Sequence, residues 1–197
     1  MLFISKQGHV DAERIEVRIF STIERSAMAK VNGIVVHQTD GTTADSTFNS
    51  YAVSGANGAH FLIDKSGAIY QTASVYKRTH HVGLLKSRCL MERKCSPSEF
   101  KRVSDMAGKY AKLSGMEYRK GFPDRYPGNA DSIGIEIVGR MDRETKIYEV
   151  VNDRQNDSLR WLVKELCETL GISFSEIYRH PEVSYKRETE AGTAKWD

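Results

Sequence analysis

Apolar and polar residues alternate along Ile15-Glu16-Val17-Arg18-Ile19-Phe20, and an apolar run from Gly33 ends at His37. The pattern predicts two strands, 15–20 and 33–37, joined by a short polar connection. Residues 59–63 and 68–72 flank Asp64-Lys65-Ser66-Gly67, a turn sequence, which predicts a hairpin. Between these segments, residues 40–57 are rich in Thr, Ser, Asn, Asp and Gly, and the spacing of Phe48, Tyr51 and Ala52 suits one short helix. Ser96 as N-cap and Pro97 at the first helical position, followed by Phe100, Val103, Ala107, Tyr110 and Ala111, predict a helix from Ser96 to about Leu113. The Gly and Pro residues of 117–131 predict a loop.

Ile133–Val138 reads as a buried strand interrupted by a single acid, Glu136, and that interruption needs a physical reason. Asn156 or Asp157 can cap a second helix, with Leu159, Leu162, Val163, Leu166 and Leu170 on one face and Gly171 as its stop. A short segment then leads to His180. Strands and helices interleave, so the expected class is α/β, a central mixed sheet flanked by helices. At 197 residues, without internal repeats or a shift in composition, the chain is expected to form one domain over 1–197.

With 40% hydrophobic and 28% charged residues, the composition is that of an ordinary globular protein, and a net charge of +3 says little about partners. Basic residues are spread along the chain without an aromatic-interleaved motif, so nucleic-acid binding is not expected. The N-terminus meets charge within six residues and reads as no secretory signal, and no stretch is long enough to span a bilayer. Three cysteines, Cys89, Cys95 and Cys167, show no CxxC spacing. Reduced thiols and cytoplasmic synthesis are the default expectation, Cys167 falls on a helix face facing the core, and a Cys89–Cys95 bridge is open by spacing alone.

The chemistry-bearing residues stand out against this background. His37 would sit at the mouth of a buried strand, and His180 is followed within ten residues by Lys186, Glu188 and Glu190. Two imidazoles and a carboxylate make a catalytic zinc shell with a fourth position open, so a hydrolase is the working hypothesis. Other schemes lack their motifs: there is no GxSxG elbow, no Cys with a neighbouring His in a recognisable motif, and GANG at 55–58 lacks the lysine and helix of a phosphate loop.

The segments GIVVHQTDG, AHFLIDKSGAIYQ, HHVG, DSIGIEIVG and HPEVSYKRETEAG, in this order from Gly33 to Trp196, resemble the zinc-dependent N-acetylmuramoyl-L-alanine amidases, a family sharing its fold with peptidoglycan recognition proteins and phage lysozyme-amidases. The resemblance implies cleavage of the amide between the lactyl group of N-acetylmuramic acid and the L-alanine that begins the stem peptide. It implies Zn²⁺ held by His37, His180 and a third ligand that is usually aspartate or cysteine. Here TEAG puts Glu190 in that role, with Glu188 as the alternative. It also implies Glu136 as general base, Lys186 as the cation beside the developing oxyanion, and His81 as a contact to substrate or transition state. His60 is expected to be structural, and His80 and His9 to be surface residues.

Residues 85–128 look like an insertion beside the cleft. Its basic positions Lys101, Arg102, Lys109 and Lys112 and its aromatic loop at Phe122 and Tyr126 are candidates for a wall that holds the polymer. The resemblance makes peptidoglycan or muropeptides the expected partner, in the service of an antibacterial effector of a secretion apparatus with an immunity protein, a phage endolysin, or cytoplasmic recycling. The alternative from another class is a catalytically inactive peptidoglycan-binding module of the same fold.

Overall fold

The computed structural model describes residues 1–197. A small antiparallel pair, β1 (Phe3–Ile4) and β2 (Val10–Asp11), precedes β3 (Ile15–Val17) and β4 (Gly33–Gln38). Then come α1 (Ala44–Tyr51), the hairpin β5 (Phe61–Ile63) and β6 (Ile69–Gln71), and three helices, α2 (Arg88–Met91), α3 (Pro97–Ser104) and α4 (Tyr110–Glu117). The chain closes with β7 (Ser132–Ile137), the long α5 (Asp153–Leu170), β8 (Ile177–Arg179) and α6 (His180–Val183). Six strands form one sheet in the order β3-β6-β5-β7-β4-β8, antiparallel only between β5 and β6.

The period-2 pattern of the central strands divides the sheet into two chemically different faces. Ile34, Val36, Ile133, Ile135, Ile137, Phe61 and Ile63 pack with Leu159, Leu162, Val163 and Leu166 of α5 in the main core. The alternate positions, Val35 and His37 on β4 and Ser132, Gly134 and Glu136 on β7, face the other way. This explains the acid in IGIEIV: Glu136 does not interrupt the apolar core face but belongs to the opposite one.

Several expectations change. Strands β3 and β4 are separated by fifteen residues and lie at opposite parts of the sheet, because β6, β5 and β7 take the places between them. The segment expected as one helix from Ser96 to Leu113 is two, since the chain reverses at Gly108, whose φ of +75° no helix contains. The long helix begins at Asp153, before Asn156 and Asp157. Asn152 is its cap, accepting from Gln155 N–H while the Gln155 side chain accepts from Asn152 N–H.

The default of three free thiols is overturned as well. Arg93, at φ +57°, turns the chain back after α2 and brings Cys89 and Cys95 to a Cα separation of 4.6 Å, where they form a disulfide; Cys167 alone is free, and buried. The bridge closes the turn around Glu92, which with Glu176 holds the Arg88 guanidinium. Closing so short a loop is worth about 2 kcal/mol on the chain-entropy model. The double variant C89S/C95S is therefore expected to unfold in urea with about 2 kcal/mol less stability. Thiol labelling of the non-reduced, unfolded wild type should count one thiol; three would contradict the bridge.

Candidate metal centre and active site

The site lies at the carboxyl ends of the parallel strands β7, β4 and β8, where crossover connections leave a crevice in open α/β sheets. His37 and Glu136 are register partners on adjacent strands and project from the same face. His180 follows β8 directly, and the loop after α6 returns Glu190 to the same point. The ligand atoms offered by His37, His180 and Glu190 all lie within 4.8 Å of one another, and all three residues are buried. Glu188, the alternative third ligand, is exposed and outside this group. Glu190 is locked in place because the next residue, Ala191, takes a left-handed φ of +52° and donates its N–H to the Gln38 side-chain oxygen at 2.9 Å.

Hydrogen bonds decide which imidazole nitrogens are free. The Ser132 hydroxyl has one proton, and its shorter contact, 2.7 Å to the Gly128 carbonyl, takes it. Ser132 Oγ therefore accepts from His81 Nε2 at 3.2 Å, and His81 Nδ1 in turn accepts from His37 Nε2 at 3.0 Å. His180 donates its Nε2 proton to the Val82 carbonyl at 2.8 Å. Both candidate ligands thus turn Nδ1 toward Glu190, His37 at 3.6 Å and His180 at 2.7 Å from its Oε1. The donor set, two imidazoles and a carboxylate, fits Zn²⁺.

The protonation states agree with that reading. Burial, with His180 beside it, lowers the His37 pKa to about 3 and keeps the ring neutral. Burial raises the Glu190 pKa, but the contacts to His180 and His37 outweigh it and hold the carboxylate at about 2. Glu136 moves the other way: burial, then the neighbouring Glu190, raises it to about 8 against the pull of Lys186. Its Oε2 is enclosed and has no hydrogen-bond partner.

The remaining expected residues fall as follows. His81 borders the cleft, but both its ring nitrogens are spent on His37 and Ser132, leaving only ring carbon for a substrate. Its ring lies so close to Gly134 that a Cβ there would come within 2.8 Å, so β7 needs a glycine at this point. His60 is fully buried and bridges Gly134 N–H to the Lys77 carbonyl, with burial lowering its pKa to about 4. His80, expected at the surface, is half-buried and lines the cleft, because the chain runs beside Gly58 before reaching His81. Lys186 is exposed and is the one lysine or arginine lining the cleft. No residue of 85–128 lines it, so the insertion is not its wall. Tyr126 is instead buried with Val35, Val82, Leu85 and Val183, where an aromatic loop serves packing.

Two residues escape sequence reading. Gln38, beside His37, accepts from Ala191 and donates to the Glu149 carbonyl, bracing both the Glu190 loop and the 139–150 hairpin. Tyr148, on that hairpin, lines the cleft. Only Gln38 left a trace, as a polar residue ending an apolar strand.

The cleft has a volume of 760 Å³ and is lined mainly by polar residues, which suits a hydrogen-bonding substrate. The profile of the N-acetylmuramoyl-L-alanine amidase family matches residues 27–197, and the chain belongs to that family. Its fold is similar to that of the N-acetylmuramoyl-L-alanine amidase LysC from Clostridium intestinale, at 17% identity and TM-score 0.52 over 93% of this chain and 92% of that one. It is similar also to AmpD, at 16% identity and TM-score 0.57 over 94% and 90%, and to the Drosophila peptidoglycan recognition protein SD, at 13% and 0.52 over 92% and 91%. No curated protein sequence matches significantly.

The convergence of ligands generates a direct expectation. Glu190→Ala should weaken Zn²⁺ retention at least 10²-fold in chelator competition, while Glu188→Ala should leave it unchanged. Equal losses in both variants, or loss only in the second, would move the third ligand.

Proposed function

We propose that this chain hydrolyses the amide joining the lactyl group of N-acetylmuramic acid to L-alanine in peptidoglycan, as a zinc enzyme. The observation that carries the reading is Glu136, whose enclosed Oε2 has no hydrogen-bond partner, set in register beside His37 in a polar cleft. A module that only binds the polymer has no use for such a group next to a complete donor set. Zn²⁺ held by His37, His180 and Glu190 would supply Lewis acidity, lowering the pKa of the attacking water and polarising the scissile carbonyl.

The chain's own groups do the rest. Glu136 accepts a proton as the water oxygen bonds to the lactyl carbon, and returns it to the alanine nitrogen as the C–N bond breaks. A carboxyl whose pKa lies near neutrality can do both. Lys186, which lines the same cleft, serves as the cation beside the carbonyl oxygen as it gains charge. His81 acts through His37, holding the ring so that Nδ1 and not Nε2 faces the cleft. The products are a stem peptide with a free L-alanine amine and an unsubstituted lactyl carboxylate.

Among settings, the Cys89–Cys95 bridge favours work outside the reducing cytoplasm, as an endolysin or a delivered antibacterial effector, over cytoplasmic recycling. An effector would pair with an immunity protein in its producer. No helix is long and apolar enough to cross a membrane.

Incubation of the zinc-loaded protein with purified sacculi is expected to release L-alanine-ended stem peptides, identified by mass spectrometry, with glycan strands and cross-links intact. In Glu136→Gln, turnover should fall about 10²–10⁴-fold with zinc content unchanged. Binding to sacculi without release of peptide by the wild type would favour the inactive binding module instead.

A further inference from the structure

The hairpin 139–150 is built to hold one side chain still. Asp142 N–H donates to the Ile147 carbonyl at 2.8 Å and Glu149 N–H to the Arg140 carbonyl at 2.9 Å, framing the antiparallel bridge between Met141 and Tyr148. The turn is stiffened by the Asp142 carboxylate, which accepts from Glu144 N–H, Thr145 N–H and the Thr145 hydroxyl. Three ties fasten the hairpin to the metal-binding elements: Gln38 to the Glu149 carbonyl, Met141 N–H to Asp40, and the Thr189 hydroxyl to the Lys146 carbonyl. The first comes from Gln38 at the end of β4, the second from Asp40 two residues beyond it, and the third from the residue before Glu190.

Tyr148 is the residue this frame delivers to the cleft. The other tyrosine there, Tyr51, is buried and spends its oxygen accepting the Ala59 N–H, whereas the Tyr148 hydroxyl has no partner within the protein. The phenol feels the charges of Glu190, Asp40 and Glu136, and these together with burial, the largest effect, push its pKa well up. It therefore stays a neutral O–H donor throughout the working range. Lys186 alone among lysines and arginines reaches the cleft, and it is an exposed, flexible cation. A transition state that places negative charge on a carbonyl oxygen calls for at least one donor whose position is set before the reaction begins.

We propose that Tyr148 donates its phenolic O–H to the carbonyl oxygen of the scissile amide as that oxygen gains charge, keeping its own proton throughout. The inference rests on the amidase reading and adds a transition-state contact to it. Tyr148→Phe keeps the ring, the bridge and the ties of the hairpin and removes only the donor.

In the zinc-loaded protein acting on a soluble muramyl-L-alanyl peptide, the variant is expected to lose roughly 10²-fold in kcat with KM changed less than about twofold. A tetrahedral phosphonamidate analogue of the substrate should bind the variant weaker by a similar factor, while the product peptide, the zinc content and Tm stay as in the wild type. Near-normal kcat and analogue affinity in an active protein would overturn the role of Tyr148 and leave the amidase reading standing. A rise in KM alone would make the residue a ground-state contact and also overturn the proposal. Failure of the wild type to release L-alanine-ended peptides would remove both.

Discussion

A neutral imidazole has one lone pair to give, and the whole site depends on which nitrogen of His37 and His180 carries it. Burial forces His37 to be neutral, and the chain from the Gly128 carbonyl through Ser132 and His81 consumes its Nε2 proton. The Val82 carbonyl does the same for His180. Both Nδ1 atoms then face Glu190, so the segment HHVG directs the two candidate ligands while contributing none. This accounts for the tight constraints around it: a glycine at 134 against the His81 ring, and Asn129 accepting the backbone N–H of both His81 and Val82.

The sheet makes such a centre tolerable. Its other face is a continuous apolar layer under α5, so the largest part of the core lies on one side and the site's polar groups gather on the opposite one. At the end of β4 the alternation puts His37 and Gln38 on opposite faces of the strand. Gln38 is thereby free to fasten the Glu190 loop and the Tyr148 hairpin to the same strand. Neighbouring residues on one strand thus divide the work of chemistry and support.

Much of this was legible in the sequence. The β5–β6 hairpin, the buried strands at 33–38 and 132–137, the long helix ending at Gly171, and the convergence of two distant histidines all follow from periodicity, turn chemistry and ordered motifs. Other features were present but misread: Asn152 and Gln155 form a capping-box signature that the later Asn156 obscured, and Gly108 marked the break in an otherwise helical pattern. The remainder was not encoded locally. The placing of Glu190, and not Glu188, beside the two histidines depends on the backbone turn at Ala191. The Cys89–Cys95 bridge depends on the reversal at Arg93. The buried role of Tyr126 and the engagement of both His81 nitrogens exist only once distant segments meet.

The most direct test of this account is the protonation of the imidazole nitrogens, read by long-range ¹H–¹⁵N NMR correlations on the ¹⁵N-histidine-labelled, zinc-loaded protein. The hydrogen-bond chain requires a proton on Nε2 and none on Nδ1 in both His37 and His180. A proton on Nδ1 of either ring would mean that the Ser132–His81 chain does not orient the ligands, and would contradict the arrangement on which the site is built.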